Sequence, residues 1–255
     1  MKKSIQELLR FSNKSLLKQN LPKKVSIYFH DIDEDELVAI KNIILFFRSH
    51  NYNFVTIDEF NHNISNQDKL VALTFDDGFD GWLKLLPMFS EHNAKATFFL
   101  NSIFLSDENL NRYIRNININ STDRLISSKG IEELVSCGHE IGAHTHSHFT
   151  LSNISYDKFI EEDRLNKECL QEYFDVKNFA IPYGMRRYLT RKQKQYLLQH
   201  YTTISFGEPG MQFTQKPRFI QRHPWLIEKS FFYNIENLCT NTSYFNNLTL
   251  RSGLG

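Results

Sequence analysis

Little in this sequence marks a compartment or a charged partner. It has three cysteines, Cys137, Cys169 and Cys239, odd in number and widely spaced. They build neither a CxxC metal site nor a disulfide framework, so a reducing compartment is the simpler expectation. Net charge is almost absent: 30 Lys and Arg stand against 29 Asp and Glu, a balance of +1. No global field recruits nucleic acid, and none is expected as a partner. No apolar run reaches transmembrane length. Residues 1–20 open with Lys2 and Lys3, but charges and Asn interrupt every apolar stretch, so the core of a signal peptide never forms. The expected location is therefore cytoplasmic. Internal repeats and low-complexity segments are missing too.

What is present suits a globular enzyme-sized domain. Hydrophobic residues make up 41% of the 255 and charged residues 23%, and that length is ordinary for one α/β domain. Ile5, Leu8, Leu9, Leu16 and Leu17 share one helical side, with Lys2, Lys3, Arg10, Lys14 and Lys18 elsewhere. This predicts an amphipathic helix over 1–20, packed on the domain or in peripheral contact with the inner membrane face. The main domain is expected over 21–240, with a tail over 241–255.

Strands and helices alternate along that domain. Strands are predicted over 25–29, 70–75, 96–100 and 140–143, and near Phe179, Thr203 and Phe219. Helices are predicted over 35–50, 82–92, 130–137 and 156–174, with Pro87 kinking or restarting the second. Thr56 with Glu59, and Thr190 with Gln193, form capping boxes that start two more. Repeated β-then-α units without an internal linker argue for a single parallel-sheet domain, open or barrel-shaped.

Two clusters carry chemistry, both at C-terminal ends of strands. Asp76 and Asp77 follow a buried apolar strand, where adjacent carboxylates are costly unless something cationic compensates them. A solvated Asp-Gly turn is the plain alternative. The second cluster is His139 to His148, which holds four of the ten histidines. Neutral imidazole is the commonest nitrogen ligand for zinc-like metals. A helical turn would unite His144 and His148, whereas an extended chain would align His144, His146 and His148.

Thr74-Phe75-Asp76-Asp77-Gly78 resembles the first motif of the polysaccharide deacetylase family, the NodB-homology or carbohydrate esterase 4 group. His144-Thr145-x-x-His148 resembles its second motif. Tyr28-Phe29-His30-Asp31 is similar to the family's first strand, Ala96-Thr97-Phe98-Phe99 to the strand after the first motif, and Pro182-Tyr183-Gly184 to the third motif. The resemblance implies a distorted (β/α) barrel, usually of seven strands. It implies a metal-dependent hydrolase that removes acetyl groups, most often N-acetyl, from a sugar. Asp77, His144 and His148 would hold one divalent ion, most simply Zn²⁺, and Asp76 would be the general base. A backbone N–H near Tyr183 would face the oxyanion, with Pro182, Tyr183 and His30 lining the substrate pocket. His146 falls where relatives tend to carry an aromatic, which favours a packing role.

The chain departs from the pattern twice. Ala180 stands where the third motif often carries an Arg that orients the base. The late histidine that serves as general acid has no clean counterpart either. His223 is the candidate acid, against the reading that it is a loop histidine and Arg222 is the residue that matters. A cytoplasmic location favours a glycan precursor, such as a nucleotide-linked or lipid-linked sugar. Arg186, Arg187 and Arg191 would then meet a phosphate or, more plainly, form a solvated helix start. The alternative function is a catalytically silent glycan-binding protein on the same barrel.

Overall fold

A computed structural model of the chain describes residues 21–62, 68–106, 110–210 and 218–241. The helix expected over 1–20 and the tail expected from 241 lie outside them, apart from Asn241, which ends the last helix.

The alternation read from the sequence is present. In chain order it runs β1 (Lys24–Phe29), α1 (Glu34–Ser49), β2 (Asn53–Phe54), α2 (Ile57–His62), β3 (Leu70–Asp76) and α3 (Leu86–Glu91). It continues through β4 (Ala96–Leu100), α4 (Asn111–Asn116), α5 (Ser128–Ser136), β5 (Glu140–Ala143), α6 (Tyr156–Leu170) and β6 (Asn178–Ala180). It closes with α7 (Arg191–His200), β7 (Thr203–Phe206), β8 (Phe219–Gln221), β9 (His223–Pro224) and α8 (Phe231–Asn241). Both capping boxes form, at Thr56 with Glu59 and at Thr190 with Gln193. Pro87 sits in the first turn of α3, directly after a 3-10 turn over Asp80–Leu85. Its missing N–H costs nothing there, so the helix restarts.

The helix expected over 156–174 stops at Leu170. The amides of Tyr173 and Phe174 both turn back to the Leu170 carbonyl. Their half-buried rings still pack on the core, which carries the apolar period past the last helical residue.

The strands pair in parallel in the order β8-β7-β6-β5-β4-β3-β1-β9, with β2 beside the start of β3. Only Arg222 separates β8 from β9. The first pairs with β7 and the second with β1, so one run of chain touches both ends of the sheet and draws it into a distorted barrel. Counted as a single stave it makes seven, and counted as two strands the path holds eight.

Alternation along the strands sorts side chains into two layers. Val71, Leu73 and Phe75 of β3 join the large core between sheet and helices. Leu70 and Ala72 point into the barrel with Ile57, Phe60, Phe99, Ala180 and Ile220. Two N–H groups at the start of α2 donate inward, Ile57 to Thr97 Oγ1 (2.8 Å) and Asp58 to Glu140 Oε2 (3.0 Å). That helix therefore plugs the N-terminal end of the barrel and leaves the C-terminal end open. Among the described residues, no helix is long and apolar enough to cross a membrane.

Candidate active site

The inward row of β3 continues from Leu70 and Ala72 through Thr74 to Asp76. Asp77 and Gly78 then both take left-handed backbone, φ 83° and 85°. Glycine suits this position, because an L side chain is strained at that φ and a Cβ would lie 2.5 Å from the Phe104 ring, which would have to shift. This reversal lets both adjacent carboxylates line one cavity of ≈ 350 Å³ at the open end of the barrel.

The histidine segment is neither of the two geometries the sequence allowed. It leaves β5 as an irregular turn, with Thr145 at φ 64° and His148 at φ 56°. The Thr145 hydroxyl accepts the His148 N–H at 3.2 Å. The turn brings His144 and His148 together and sends His146 away to the Ser102 hydroxyl, 2.8 Å from its Nδ1.

Asp77, His144 and His148 each present one ligand atom, all within 4.8 Å of one another. His144 Nε2 lies 3.3 Å and His148 Nε2 3.2 Å from Asp77 Oδ1. The chemistry of this set fits a cation. His144 Nδ1 lies 2.8 Å from the Ala180 carbonyl, an acceptor only, so the ring proton sits there and the Nε2 lone pair faces Asp77. Asp77 Oδ1 is buried and receives no hydrogen bond among the described residues. Nε2 and the bare carboxylate oxygen need a positive charge between them, either a bound cation or a proton on His144. Burial disfavours that proton, but Asp77 and Asp76 outweigh it and raise the imidazole above its ordinary value. Burial drives the His148 imidazole down to about 4 despite Asp77, which keeps it neutral, the form a metal binds. Burial also opposes charge on Asp77, but in the acid range, where the surrounding histidines are themselves protonated, they outweigh it and hold the carboxyl far below its ordinary value.

Asp76 has a different partner. Arg222 Nη1 and Nη2 donate to its two oxygens at 2.6 and 2.8 Å, a bidentate pair buried on both sides. The guanidinium lies between the Tyr28 and Phe99 rings, 5.1 and 5.2 Å from their centroids. The Arg missing at Ala180 is thus supplied by another stave, two residues beyond the inward-facing Ile220. Burial pushes the Asp76 carboxyl up, yet Arg222 and then His144 pull it below the ordinary carboxylate value. Asp76 stays ionised to low pH. Its contribution to stability is complete above the unfolded carboxylate range and is lost as pH falls through the lowered native value.

His223 does not join this cavity. Arg222 faces the barrel interior, so alternation turns the next side chain outward. Its ring is buried with Nε2 against the Gly210 carbonyl at 3.3 Å, and burial lowers it to about 4. His30 does reach the cavity. Its side chain is 56% exposed, with Nε2 4.0 Å from Asp77 Oδ2. Tyr183 forms an exposed aromatic edge, its ring 4.6 Å from that of His148, whereas Pro182 is buried and outside the lining. Arg186 is tied internally, to Glu208 at 3.1 Å and Gln221 at 2.5 Å, which removes it from the proposed phosphate contact. Sequence reasoning missed Tyr28 and the wall formed by Asn116, Ile117 and Asn118. Tyr28 was legible as an inward neighbour of Phe29 on β1, while the wall is the C-terminal end of the short helix α4 and the two residues after it, too short a stretch to show a period.

A model of the family described as polysaccharide deacetylase matches residues 63–201, which include both the carboxylate and the histidine turns. The chain belongs to the polysaccharide deacetylase family. A peptidoglycan-N-acetylglucosamine deacetylase of Bacillus cereus is 33% identical over 118 residues, 45% of this chain and 36% of that protein. The matches to the two curated relatives span about two fifths of their length or less. A deacetylase of Streptococcus pyogenes, solved in complex with acetate, superposes with a TM-score of 0.66 at 18% identity, covering 88% of this chain and 98% of that one. A polysaccharide deacetylase of Bacillus cereus gives 0.66 at 18% identity, over 83% and 68%. At these identities the likeness shows a shared fold.

Proposed function

We propose that this member of the family is a metal-dependent hydrolase that removes the N-acetyl group from an amino sugar of a glycan or glycan precursor. One observation carries the reading: a three-donor cradle of Asp77, His144 and His148 beside an ionised, arginine-held Asp76. The silent-binder alternative rested on Ala180 and on the lack of a clear acid. Arg222 answers the first ground, and His30, which lines the cavity, is our answer to the second.

A divalent ion in the cradle, zinc by its nitrogen-rich donors, would supply carbonyl polarisation and an acidified water. Asp76 is a weak base because Arg222 lowers its proton affinity, and so it suits a water that is already acidic. Asp76 takes one proton as the water oxygen bonds to the acetyl carbon. The N–H of Tyr183, in the left-handed turn at φ 60°, is the candidate donor to the oxygen that gains charge. The C–N bond then breaks, acetate leaves, and the amine takes a proton. His30 is our donor for that step, since it lines the cavity and His223 does not. Tyr183 offers a flat face on which a sugar ring can rest.

The test is acetate release from N-acetylglucosamine oligomers by zinc-loaded protein. No release from any acetylated sugar, with one metal bound, would return the silent binder. Within an active enzyme, His30→Ala should lose about a hundredfold on amides and little on activated esters, whose leaving groups need no proton. His223→Ala should leave that ratio untouched, and the reverse pattern would restore His223 as the acid.

Arg222 gives a pH test. Arg222→Gln leaves Asp76 buried without its cation, so its carboxyl should rise. The acid limb of kcat/KM should move to higher pH, each unit costing about tenfold in rate below the limb. An unmoved limb would mean that Asp76 is not the group that titrates in turnover.

A further inference from the structure

The two turns that carry the candidate ligands are far apart in sequence, and each depends on strained backbone. Asp77 at φ 83°, Thr145 at φ 64° and His148 at φ 56° are all non-glycine residues in the left-handed region. Such conformations cost of order 1–3 kcal/mol each and persist only where the surroundings over-determine them. What over-determines them is one buried set of hydrogen bonds. Tyr113 of α4 is fully buried, and its hydroxyl donates to the Asp77 carbonyl. The same hydroxyl lies 3.3 Å from Asn101 Oδ1. The amide of Asn101, just past β4, donates to the carbonyls of His144 and of Thr145, the latter at 2.9 Å. Those two acceptors fix which way the amide points, because a flipped Asn101 would set its oxygen against two carbonyls. Three residues on from Tyr113, on the same helical side, Asn116 reaches the carbonyls of Ser147 and His148 at 3.4 and 3.3 Å.

We propose that Tyr113 and Asn101 are positioning residues that clasp the Asp77 turn to the His144–His148 turn and thereby set the affinity of the cradle for its metal. This rests on the metal-site reading above. Neither residue offers the ion a ligand. Their bonds go to main-chain carbonyls, so they act by holding three ligand side chains at one separation before the ion arrives. Without the Tyr113 hydroxyl, the Asp77 turn is free to relax toward ordinary backbone, and the ion must then reimpose the geometry.

The experiment measures zinc affinity by competition with a chromophoric chelator, on full-length protein stripped of metal, alongside the melting temperature of the metal-free form. Tyr113→Phe keeps the buried ring and removes only the hydroxyl. Its Kd for zinc should rise about 10–100-fold, the usual effect of losing a group that orients metal ligands. Asn116→Ala, which releases only the longer bonds to the His148 turn, should raise Kd less. Tyr201→Phe is the control, a buried tyrosine whose hydroxyl serves Asp163 on another side of the barrel. It should lower the melting temperature and leave Kd unchanged. A merely structural role for Tyr113 would give the same result as Tyr201→Phe, and that would overturn the inference. Folded wild-type protein that binds no zinc would overturn the metal reading itself, and this inference with it.

Discussion

Asp77→Ala should lose bound metal and acetate release together, falling from about one divalent ion per chain to none, with turnover at background. The oxygen it removes is the one that both imidazoles face, at 3.3 and 3.2 Å. Two neutral nitrogens alone make a weak site, since the anion that offsets the ion's charge is gone. His148→Ala should do the same by removing one nitrogen. Both positions have positive φ, so either alanine variant also carries some backbone cost. Asp77→Asn is the gentler form, because Asn adopts left-handed backbone more readily than most residues. His146→Ala is the internal control. Its ring faces Ser102 and not the cradle, and metal content should stay at wild type. Metal retained in full by both Asp77→Ala and His148→Ala would place the site elsewhere.

Asp76→Asn should keep its metal and lose turnover by two orders of magnitude or more, the scale of a missing general base. The change preserves shape, and the ligand atoms of the cradle are untouched. It also strands Arg222, a fully buried cation whose charged partner is Asp76. Leaving one member of a buried pair uncompensated costs about 3–5 kcal/mol, so the assay belongs well below the melting temperature of the variant. The double variant Asp76→Asn with Arg222→Gln separates the two effects. It should recover much of the lost stability and none of the lost rate. Recovery of rate with stability would mean that Asp76 serves the fold alone. Loss of metal from Asp76→Asn would make Asp76 a ligand.

Much of this molecule follows from local pattern. The all-buried strand Leu70–Asp76, the restart at Pro87 and the capping boxes at Thr56 and Thr190 each depend on residues within one turn or one strand of each other. Short-range sterics and hydrogen bonds decide such features, and a sequence states them directly. The Asp76-Asp77-Gly78 and His144-x-x-x-His148 motifs were legible for the same reason. Their partnership came only through the family resemblance, since no local pattern states it. The chain could present the histidines on a helical turn or along a strand, and it does neither. Thr145 and His148 adopt left-handed backbone that Asn101, Asn116 and the Thr145 hydroxyl maintain, and two of those three holders lie elsewhere in the chain. The setting of Asp76 was equally remote. Nothing within reach of Asp76 in the sequence predicts its guanidinium, because Arg222 arrives from the segment that closes the barrel, 146 positions away. Barrel closure decided two roles at once. The alternation that turns Arg222 inward to Asp76 turns His223 outward, away from the cavity.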